Sequence, residues 1–369
     1  MRPGVTLAMI VRNEGANLRR CLESVRPAVD AIAIVDTGSQ DDTVAIARSF
    51  GAMVESIEWP DSFAEARNCS LKLVETEWVL WLDADEWFVD GHARFVHDAV
   101  QDGQAFGFLM VRRDLFPGGG HSEQQMLRLW RHHPDRRFRG AIHEHIPLDD
   151  LASAHPGKVL KTAEIAFWHD GYSAELSPEK ARRNLPLLRR EIAEGAESMY
   201  YEFELAQTLK SLGEQEGQTL EVALADRLIS MRDRDEPPDN TVALFLMRYL
   251  ADLADAGLRD ERTEWLLRLG RGWFPDHPGV RSAVAQVEIR RGQIRTAFDD
   301  LREVERMAET GEYDRLTSTH PAILGEALST NLALVAHQLG KREVARKHYE
   351  RLLQFDPNHP IARQNLPRL

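Results

Sequence analysis

Three carboxylates follow directly on a short apolar segment of the chain. The segment Trp78–Leu82 is rich in aromatic and branched residues, and Asp83, Asp85 and Glu86 come just after it. Such a run is typical of a strand buried on both faces, and open α/β sheets bind ligands where their strands end. Carboxylates this close repel one another, which a cation offsets, and their oxygens suit Mg²⁺ or Mn²⁺. Taken alone, the pattern fits a solvated turn, with Asp83 capping a helix from Glu86, at least as well.

A second group of polar residues lies further along, in His143, Glu144 and His145. We expect Ala141–Ile146 to be a strand, which places the two histidines on one face and Glu144 on the other. Glu144 is the expected general base, because burial can raise the pKa of a carboxyl group toward neutrality, and His143 is the alternative. His145 is expected to be an ordinary strand residue. The spacing is not His-Glu-x-x-His, so a protease-type zinc site is excluded.

The composition is that of an ordinary soluble globular protein, since 43% of the 369 residues are hydrophobic and 28% are charged. A formal net charge of −13 argues against general nucleic-acid binding. The two cysteines, Cys21 and Cys69, form no Cys-x-x-Cys pattern, so we expect a reduced, cytoplasmic protein. No stretch reaches the ~18 apolar residues of a membrane span. Val5–Val11 is too short for a signal peptide and is predicted to be the first strand.

The elements that must position these side chains alternate between short apolar runs and helical segments. Strands are predicted over Val5–Val11, Ala31–Val35, Met53–Ile57 and Trp78–Leu82, and helices over Asn17–Val25, Asp41–Phe50 and Ser62–Val74. Strands separated by helices imply right-handed crossovers and a largely parallel sheet. Further strands, some antiparallel, are predicted over Phe106–Val111, Gln125–Trp130 and Glu164–Trp168. The glycines of Gly118–Gly120 predict a loop, either a lid or a plain surface loop.

The remainder of the chain is predicted to be helical. Ser177 and Pro178 begin a helix that runs to about Glu194. Beyond it, small and large residues fall at the offsets of a tetratricopeptide repeat: Leu332, Ala333, Gly340, Ala345, Tyr349, Leu352 and Pro357. Related fragments contain the turn glycines Gly213, Gly257 and Gly292. We therefore predict a catalytic domain over residues 1–175, a connecting helix over 176–196, and stacked helical repeats with a concave surface over 197–369.

Four ordered motifs carry a resemblance to a known family. They are Met9–Glu14, Ile34–Thr43, Phe63–Asn68 and Leu82–Glu86. Together they resemble the nucleotide-sugar domain of glycosyltransferase family 2, which has the GT-A fold, an α/β Rossmann-like architecture. The tetratricopeptide-like helices make the chain similar to the bacterial subgroup that includes the sublancin-type peptide S-glycosyltransferases, and Gly140–Glu144 resembles the Gly-x-x-His-Glu element of that subgroup.

The resemblance implies a role for individual residues. Arg12, Glu14 and Asp36 would flank the nucleobase and ribose, Gly38 would let the backbone approach the ligand, Arg67 and Asn68 would reach the diphosphate or the donor sugar, Asp83 would contact the donor, and Asp85 and His169 would ligate the metal. Plainer roles are available for some of them: a turn and helix cap at Asp36, a surface salt bridge at Arg67, and a hydrogen-bonded turn residue at His169.

The expected function is that of a metal-dependent, inverting glycosyltransferase. Its cofactor would be Mn²⁺ or Mg²⁺, its donor a UDP-sugar, and its acceptor a peptide or protein positioned by the repeats. An envelope-glycan or lipid-linked acceptor is the first alternative, and a nucleotide-binding scaffold that presents the repeats is the second. The repeats could equally mediate a homodimer.

Overall fold

The chain divides into two compact units, Met1–Ala196 and Glu197–Leu369. A computed structural model describes residues 2–116, 120–170, 178–195, 198–256, 260–315, 317 and 319–369. The loop predicted at Gly118–Gly120 falls largely on residues 118 and 119, outside the described part. No described helix is long and apolar enough to cross a membrane.

The first unit is built on one mixed sheet. Its strands are β1 (Arg2–Val11), β2 (Ala31–Asp36), β3 (Met53–Ser56), β4 (Thr76–Trp81), β5 (Glu86–Phe88), β6 (Ala105–Leu115), β7 (His121–Arg131) and β8 (Val159–His169). Their order in the sheet is β3-β2-β1-β4-β7-β6-β8-β5. The pairs among β1 to β4 are parallel, as is β6 with β8, whereas β7 and β5 pair in antiparallel fashion with their neighbours.

Helices flank this sheet. They are α1 (Leu18–Val25), α2 (Thr43–Ser49), α3 (Phe63–Lys72), α4 (Arg94–Val100), α5 (Leu148–Ala154) and α6 (Pro178–Ala193). In α1, Leu18 and Leu22 are one turn apart and fully buried, and they pack in one cluster with Leu7 and Met9 of β1. The side chain of Ser62 caps α3 by accepting from the backbone N–H of Glu65 at 3.2 Å. The predicted GT-A fold is confirmed.

The register of the parallel strands brings their carboxyl ends together. Val11, the last residue of β1, is paired with Asp36, the last residue of β2. On the other side of β1, Ala8 is paired with Trp81, so the chain leaves β4 beside the end of β1. This edge of the sheet is where parallel α/β architectures place their ligands.

One local prediction is wrong, and one alternative that the sequence left open is excluded. Residues 141–146 do not form a strand but a tight loop, closed by an isolated antiparallel bridge between Arg139 and His145. Glu86 does not begin a helix, because it is the first residue of β5 and pairs with His169 of β8.

The second unit is all helical where it is described. Its helices are α7 (Met199–Ser211), α8 (Gln215–Ser230), α9 (Val242–Ala256), α10 (Glu261–Trp273), α11 (Pro278–Arg290), α12 (Ile294–Thr310), α13 (Glu326–Gln338), α14 (Arg342–Phe355) and α15 (Pro360–Asn365). Successive helices pair as α7 with α8, α11 with α12 and α13 with α14. The predicted turn glycines Gly213, Gly292 and Gly340 have φ of 76°, 78° and 70°, which L-residues adopt at a cost. The fourth, Gly257, lies outside the described residues.

Candidate active site

A cleft of about 430 Å³ lies where β1, β2 and β4 end. It is lined by Ile10, Val11, Arg12, Glu14, Thr37, Trp59, Phe63, Arg67, Asp83, Ala84, Asp85, Ile142, His143, Glu144, His169, Arg183 and Asn184. Its size is within the range of small-molecule sites. Eight of the eleven side chains that the sequence singled out therefore face one space: Arg12, Glu14, Arg67, Asp83, Asp85, His143, Glu144 and His169.

Arg67 joins two carboxylates of the cleft. Its Nε donates to Glu144 Oε1 at 2.5 Å and its Nη2 to Asp83 Oδ1 at 2.6 Å. The guanidinium is buried and lies 4.6 Å from the centroid of the Trp81 ring. Burial alone would lower the pKa of Arg67, but the two carboxylates outweigh it and raise the pKa above its ordinary value. Arg67 is thus a fixed cation that orients Asp83 and Glu144, and its plainer role as a surface salt bridge is wrong.

Glu86 supports the turn that presents Asp83. Its Oε2 accepts from the backbone N–H of Asp83 at 2.9 Å, and its Oε1 lies 2.6 Å from Nη2 of Arg128. Both partners of this ion pair are buried. Burial raises the pKa of Glu86 to about 7, against the opposing effect of Arg128. Glu86 is therefore part of the wall under the site rather than a residue of the cleft.

Asp85 and His169 form the candidate metal centre. Nε2 of His169 lies 3.6 Å from Oδ2 of Asp85. Two ligands of one ion, each about 2.1 Å from it, lie between about 3.0 and 4.2 Å apart, so the pair fits a shared metal. Burial and the neighbouring Asp83 raise the pKa of Asp85 against the opposing effect of His169, so a bound cation would stabilise its ionised form.

Asp114 completes this centre, although nothing in the sequence singled it out. Its Oδ1 lies 2.7 Å from Nδ1 of His169, and Arg112 holds the same oxygen at 2.8 Å. A carboxylate on the far nitrogen of a histidine fixes the ring tautomer and leaves Nε2 free to bind a metal. Burial alone would raise the pKa of Asp114, but His169 and Arg112 outweigh it and lower the pKa. The only sign of this role in the sequence is that Asp114 is the one acidic residue of β6, whose other side chains are apolar or basic.

The centre offers two protein ligands. Within the described part of the chain, no group of three or more His, Cys, Asp or Glu side chains is arranged to hold a metal ion. Mg²⁺ and similar ions commonly take one or two carboxylates and complete their shell with substrate phosphates and water. Asp85 and His169 fit an ion of that kind, with the remaining positions left for a ligand.

The loop over residues 141–146 presents two polar side chains to the cleft. Because it is not extended, His143 and Glu144 both line the cleft instead of pointing to opposite faces, whereas His145 does not. His143 adopts φ of 54°, a conformation uncommon for a non-glycine residue. The backbone of Ala141 secures this loop, because its carbonyl accepts from the N–H of Phe63 at 2.8 Å.

Three predicted binding residues do not line the cleft. Asp36 accepts backbone N–H groups of Gly38 and Ser39 at 3.3 and 3.2 Å, which is the turn role that the sequence left open. Gly38, with φ of 104°, serves that turn, and Thr37 between them is the residue that lines the cleft. Asn68 exchanges two hydrogen bonds with the backbone of Phe138, at 2.8 and 3.0 Å. Its amide is therefore committed to holding a loop.

Residues that the sequence did not single out also line the cleft. Trp59 and Phe63 contribute aromatic surface, with ring centroids 4.9 Å apart. Arg183 and Asn184 come from α6, which was expected only to connect two domains. Because α6 is far from the four motifs in the sequence, no local sequence pattern predicts that its side chains line the cleft.

Comparisons with known proteins relate the chain to glycosyltransferases. Residues 6–153 match the model of glycosyl transferase family 2. A TPR repeat-containing protein of Synechococcus elongatus is 31% identical over 254 residues, which are 67% of this chain and 60% of that protein. The SPbeta prophage-derived glycosyltransferase SunS of Bacillus subtilis is 26% identical over 190 residues, 50% of this chain and 44% of that protein. The chain thus spans about half the length of these two relatives.

One solved structure is similar over a smaller part. Glucosyl-3-phosphoglycerate synthase from Mycobacterium tuberculosis, in complex with Mn²⁺, UDP and glucosyl-3-phosphoglycerate, is 24% identical and covers 30% of this chain and 44% of its own, with a TM-score of 0.26. A superposition this partial supports no residue-by-residue comparison. The family assignment stands on the motifs, the sheet and the sequence matches: residues 6–153 of this chain are a glycosyltransferase family 2 domain, followed by tetratricopeptide-like helical repeats.

Proposed function

We propose that this chain is a metal-dependent, inverting glycosyltransferase that moves a sugar from a UDP-sugar to a peptide or protein acceptor. The observation that carries the proposal is the pair of Asp85 and His169, 3.6 Å apart in the same cleft as Glu144. Such a transfer uses a metal ion to stabilise the leaving group and a carboxylate base to activate the acceptor, and both candidate sites lie in the same cleft.

Asp85 and His169 would hold the ion, and Asp114 would keep the ring of His169 in its binding tautomer. Neutral imidazole suits Mn²⁺ better than Mg²⁺. When bound, the ion supplies Lewis-acid stabilisation of the departing nucleoside diphosphate. Asp83, held by Arg67, would accept hydrogen bonds from the hydroxyl groups of the donor. The choice of UDP follows from the family resemblance.

Glu144 would act as the base. Arg67 fixes its Oε1, which keeps the carboxylate oriented toward the cleft. The acceptor oxygen or sulfur attacks the anomeric carbon, its proton passes to Glu144, and the bond from that carbon to the diphosphate oxygen breaks. A single displacement of this kind inverts the configuration at the anomeric carbon. His143, the next residue in the same loop, is the alternative base.

The acceptor is assigned from the second unit. Stacked tetratricopeptide-like repeats form extended concave surfaces of the kind that hold peptides. Both cysteines are free, which supports a reducing, cytoplasmic location. An envelope-glycan or lipid-linked acceptor and a homodimer through the repeats stay open as predictions.

A thermal-shift panel tests the proposal. UDP, GDP, ADP and UDP-sugars are each added with and without Mn²⁺, and we expect UDP and a UDP-sugar to raise the unfolding temperature only with the metal. A ligand at 100 times its Kd adds about 2.7 kcal/mol to the free energy of unfolding. No metal-dependent effect of any nucleotide would favour the scaffold alternative. UDP release with Ser-, Thr- or Cys-containing peptides, compared with glycans and lipid-linked sugars, then identifies the acceptor class.

A further inference from the structure

Two arginines from different elements line the cleft. Arg12 follows β1, and Arg183 lies in the second turn of α6. Both side chains are exposed in part at the mouth of the cleft, and the pKa of Arg183 is lowered first by its partial burial and then by the positive charge of Arg12. The fold therefore holds two like charges near each other at the wall of the candidate active site.

These two cations differ from Arg67 in their partners. Arg67 is committed to Asp83 and Glu144. Among the residues that the structure describes, no carboxylate forms an ion pair with Arg12 or Arg183. Arg183 donates from Nε to Oδ1 of Asn184 at 3.2 Å. An anion that enters the cleft meets positive charge here that the protein has not neutralised.

Arg183 is also held in place by an aromatic side chain. Its guanidinium carbon lies 5.5 Å from the ring centroid of Phe63, which itself lines the cleft. An arginine beside an aromatic ring loses less conformational freedom when it binds a ligand than an unsupported one. Phe63 begins α3, the helix that carries Arg67, so α3 and α6 position their arginines around the same space.

We propose that Arg12 and Arg183 together bind the diphosphate of the nucleotide, which makes α6 part of the donor site. This inference rests on the proposed function. A diphosphate carries several negative charges on oxygens that match the planar fork of a guanidinium. Arg67 already neutralises Asp83 and Glu144, and within the described structure only its buried Nη1 is left without a hydrogen-bond partner, so it offers an incoming diphosphate less charge than Arg12 and Arg183 do. The inference also moves Arg12 from the nucleobase, where the family resemblance placed it, to the phosphates.

Binding measurements on the full-length chain test the inference. Wild type, Arg183→Ala, Arg12→Ala and the control Arg182→Ala are each titrated by calorimetry, in the presence of Mn²⁺, with UDP, uridine and inorganic pyrophosphate. Arg182 is the matched control, since it is an exposed arginine beside Arg183 on α6 that does not line the cleft. We expect Arg183→Ala and Arg12→Ala each to weaken UDP binding by roughly 10- to 100-fold, the range for a lost charged hydrogen bond. Uridine binding should not change, and Arg183→Lys should restore part of the affinity.

The outcomes separate this inference from the proposed function. Equal UDP affinity in wild type and Arg183→Ala overturns the inference alone, as does an equal loss for UDP and uridine. Binding that depends on Arg183, in a chain that neither hydrolyses nor transfers from any nucleotide-sugar, supports the inference and contradicts the proposed function. A wild-type chain that binds neither UDP nor pyrophosphate contradicts both. Circular dichroism and the unfolding temperature of each variant confirm that it is folded.

Discussion

Arg67 and Glu144 lie 77 positions apart in the sequence, yet Nε of Arg67 donates to Glu144 Oε1 at 2.5 Å in the wall of the cleft. The contact joins α3 to the loop over residues 141–146. It fixes the expected base before any ligand binds, and it leaves the carboxylate facing the space beside Asp83 and Asp85. The orientation of Glu144 thus depends on a residue that sequence reasoning assigned to the donor.

Glu144→Gln should retain donor binding and lose transfer. The amide keeps the size of the side chain and an oxygen for Arg67, but it cannot take a proton from the acceptor. Removing a general base typically costs about 10²- to 10⁴-fold in rate. Calorimetry with UDP and Mn²⁺ measures binding, and release of UDP from the UDP-sugar measures turnover.

His143→Gln is the matched variant for this experiment, since His143 is the alternative base in the same loop. We expect it to keep most of the turnover. Wild-type turnover in Glu144→Gln, together with loss of turnover in His143→Gln, would transfer the role of base to His143.

Asp85→Ala should abolish the effect of Mn²⁺ on nucleotide binding without unfolding the protein. The Asp85 side chain is 34% exposed and its pKa is raised by burial and by Asp83, so its charge is not needed for stability. The unfolding temperature should match wild type without ligand, and the metal-dependent shift with UDP should disappear. Full metal-dependent activity in this variant would contradict the assignment of the metal centre.

Asp114→Asn should lower the affinity for the metal ion, although it removes neither of the two metal ligands. The asparagine keeps the shape of the buried side chain, but it no longer offers Nδ1 of His169 a charged acceptor. Loss of such a partner typically costs about 10- to 100-fold in metal affinity. Titration with Mn²⁺, followed by electron paramagnetic resonance, measures the affinity directly. Unchanged Mn²⁺ affinity would show that Asp114 only stabilises the sheet. The unfolding temperature serves as the control for the lost contact with Arg112.

The sequence predicts the elements of this site better than their long-range partners. Local apolar runs identify β2, which ends at Asp36, and β4, which ends two residues before Asp83, because burial on both faces leaves a continuous hydrophobic pattern. Asp114 escapes such reasoning, since its role depends on the pairing of β6 with β8, which places it beside His169 across 55 positions. Register between distant strands is set by the packed sheet and leaves no local signal.

The loop over residues 141–146 shows a different limit. A strand is predicted here from the sequence, although the six residues Ala-Ile-His-Glu-His-Ile do not alternate apolar with polar side chains as a half-buried strand does. The backbone is instead left-handed at His143, a conformation that the residue type does not predict. As a result, His143 and Glu144 both line the cleft. Tertiary contacts, such as that of Ala141 with Phe63, override the local preference.

Gly217→Ala tests the packing of the first helix pair of the second unit. A Cβ at this position of α8 would lie 2.6 Å from the carbonyl oxygen of Ala206 and 2.8 Å from the backbone nitrogen of Lys210, both in α7. Because these are backbone atoms, the two helices must separate, which should cost roughly 1–3 kcal/mol in the free energy of unfolding. Gly272→Ala in α10 is the control, since a Cβ there would meet no described atom within 4 Å beyond its chain neighbours and the backbone of its own helix. That change should be neutral or stabilise by about 0.4–1 kcal/mol. Urea unfolding distinguishes the two, and equal effects would contradict the close packing of α7 on α8.

Glu305 of α12 provides a test of pH dependence. Its Oε1 lies 2.7 Å from Nζ of Lys347 and 3.2 Å from Nε2 of His348, both on α14. Burial alone would raise the pKa of Glu305, but His348, Lys347 and Arg302 outweigh it and lower the pKa to about 2.

Since the folded state holds this carboxylate ionised more strongly than the unfolded state does, its contribution is fully present above the ordinary pKa of 4.5 and is lost as the pH falls through about 2. Glu305→Gln should therefore be less stable than wild type at pH 7, and the difference should shrink between about pH 4.5 and pH 2. Glu303→Gln is the matched control, because Glu303 pairs with Arg306 on the exposed face of the same helix and should change stability by less than about 1 kcal/mol. Urea unfolding of the helical unit, followed by circular dichroism across this pH range, measures both differences. A deficit in Glu305→Gln that does not change with pH would show that the side chain acts through packing, because only the ionised form attracts Lys347.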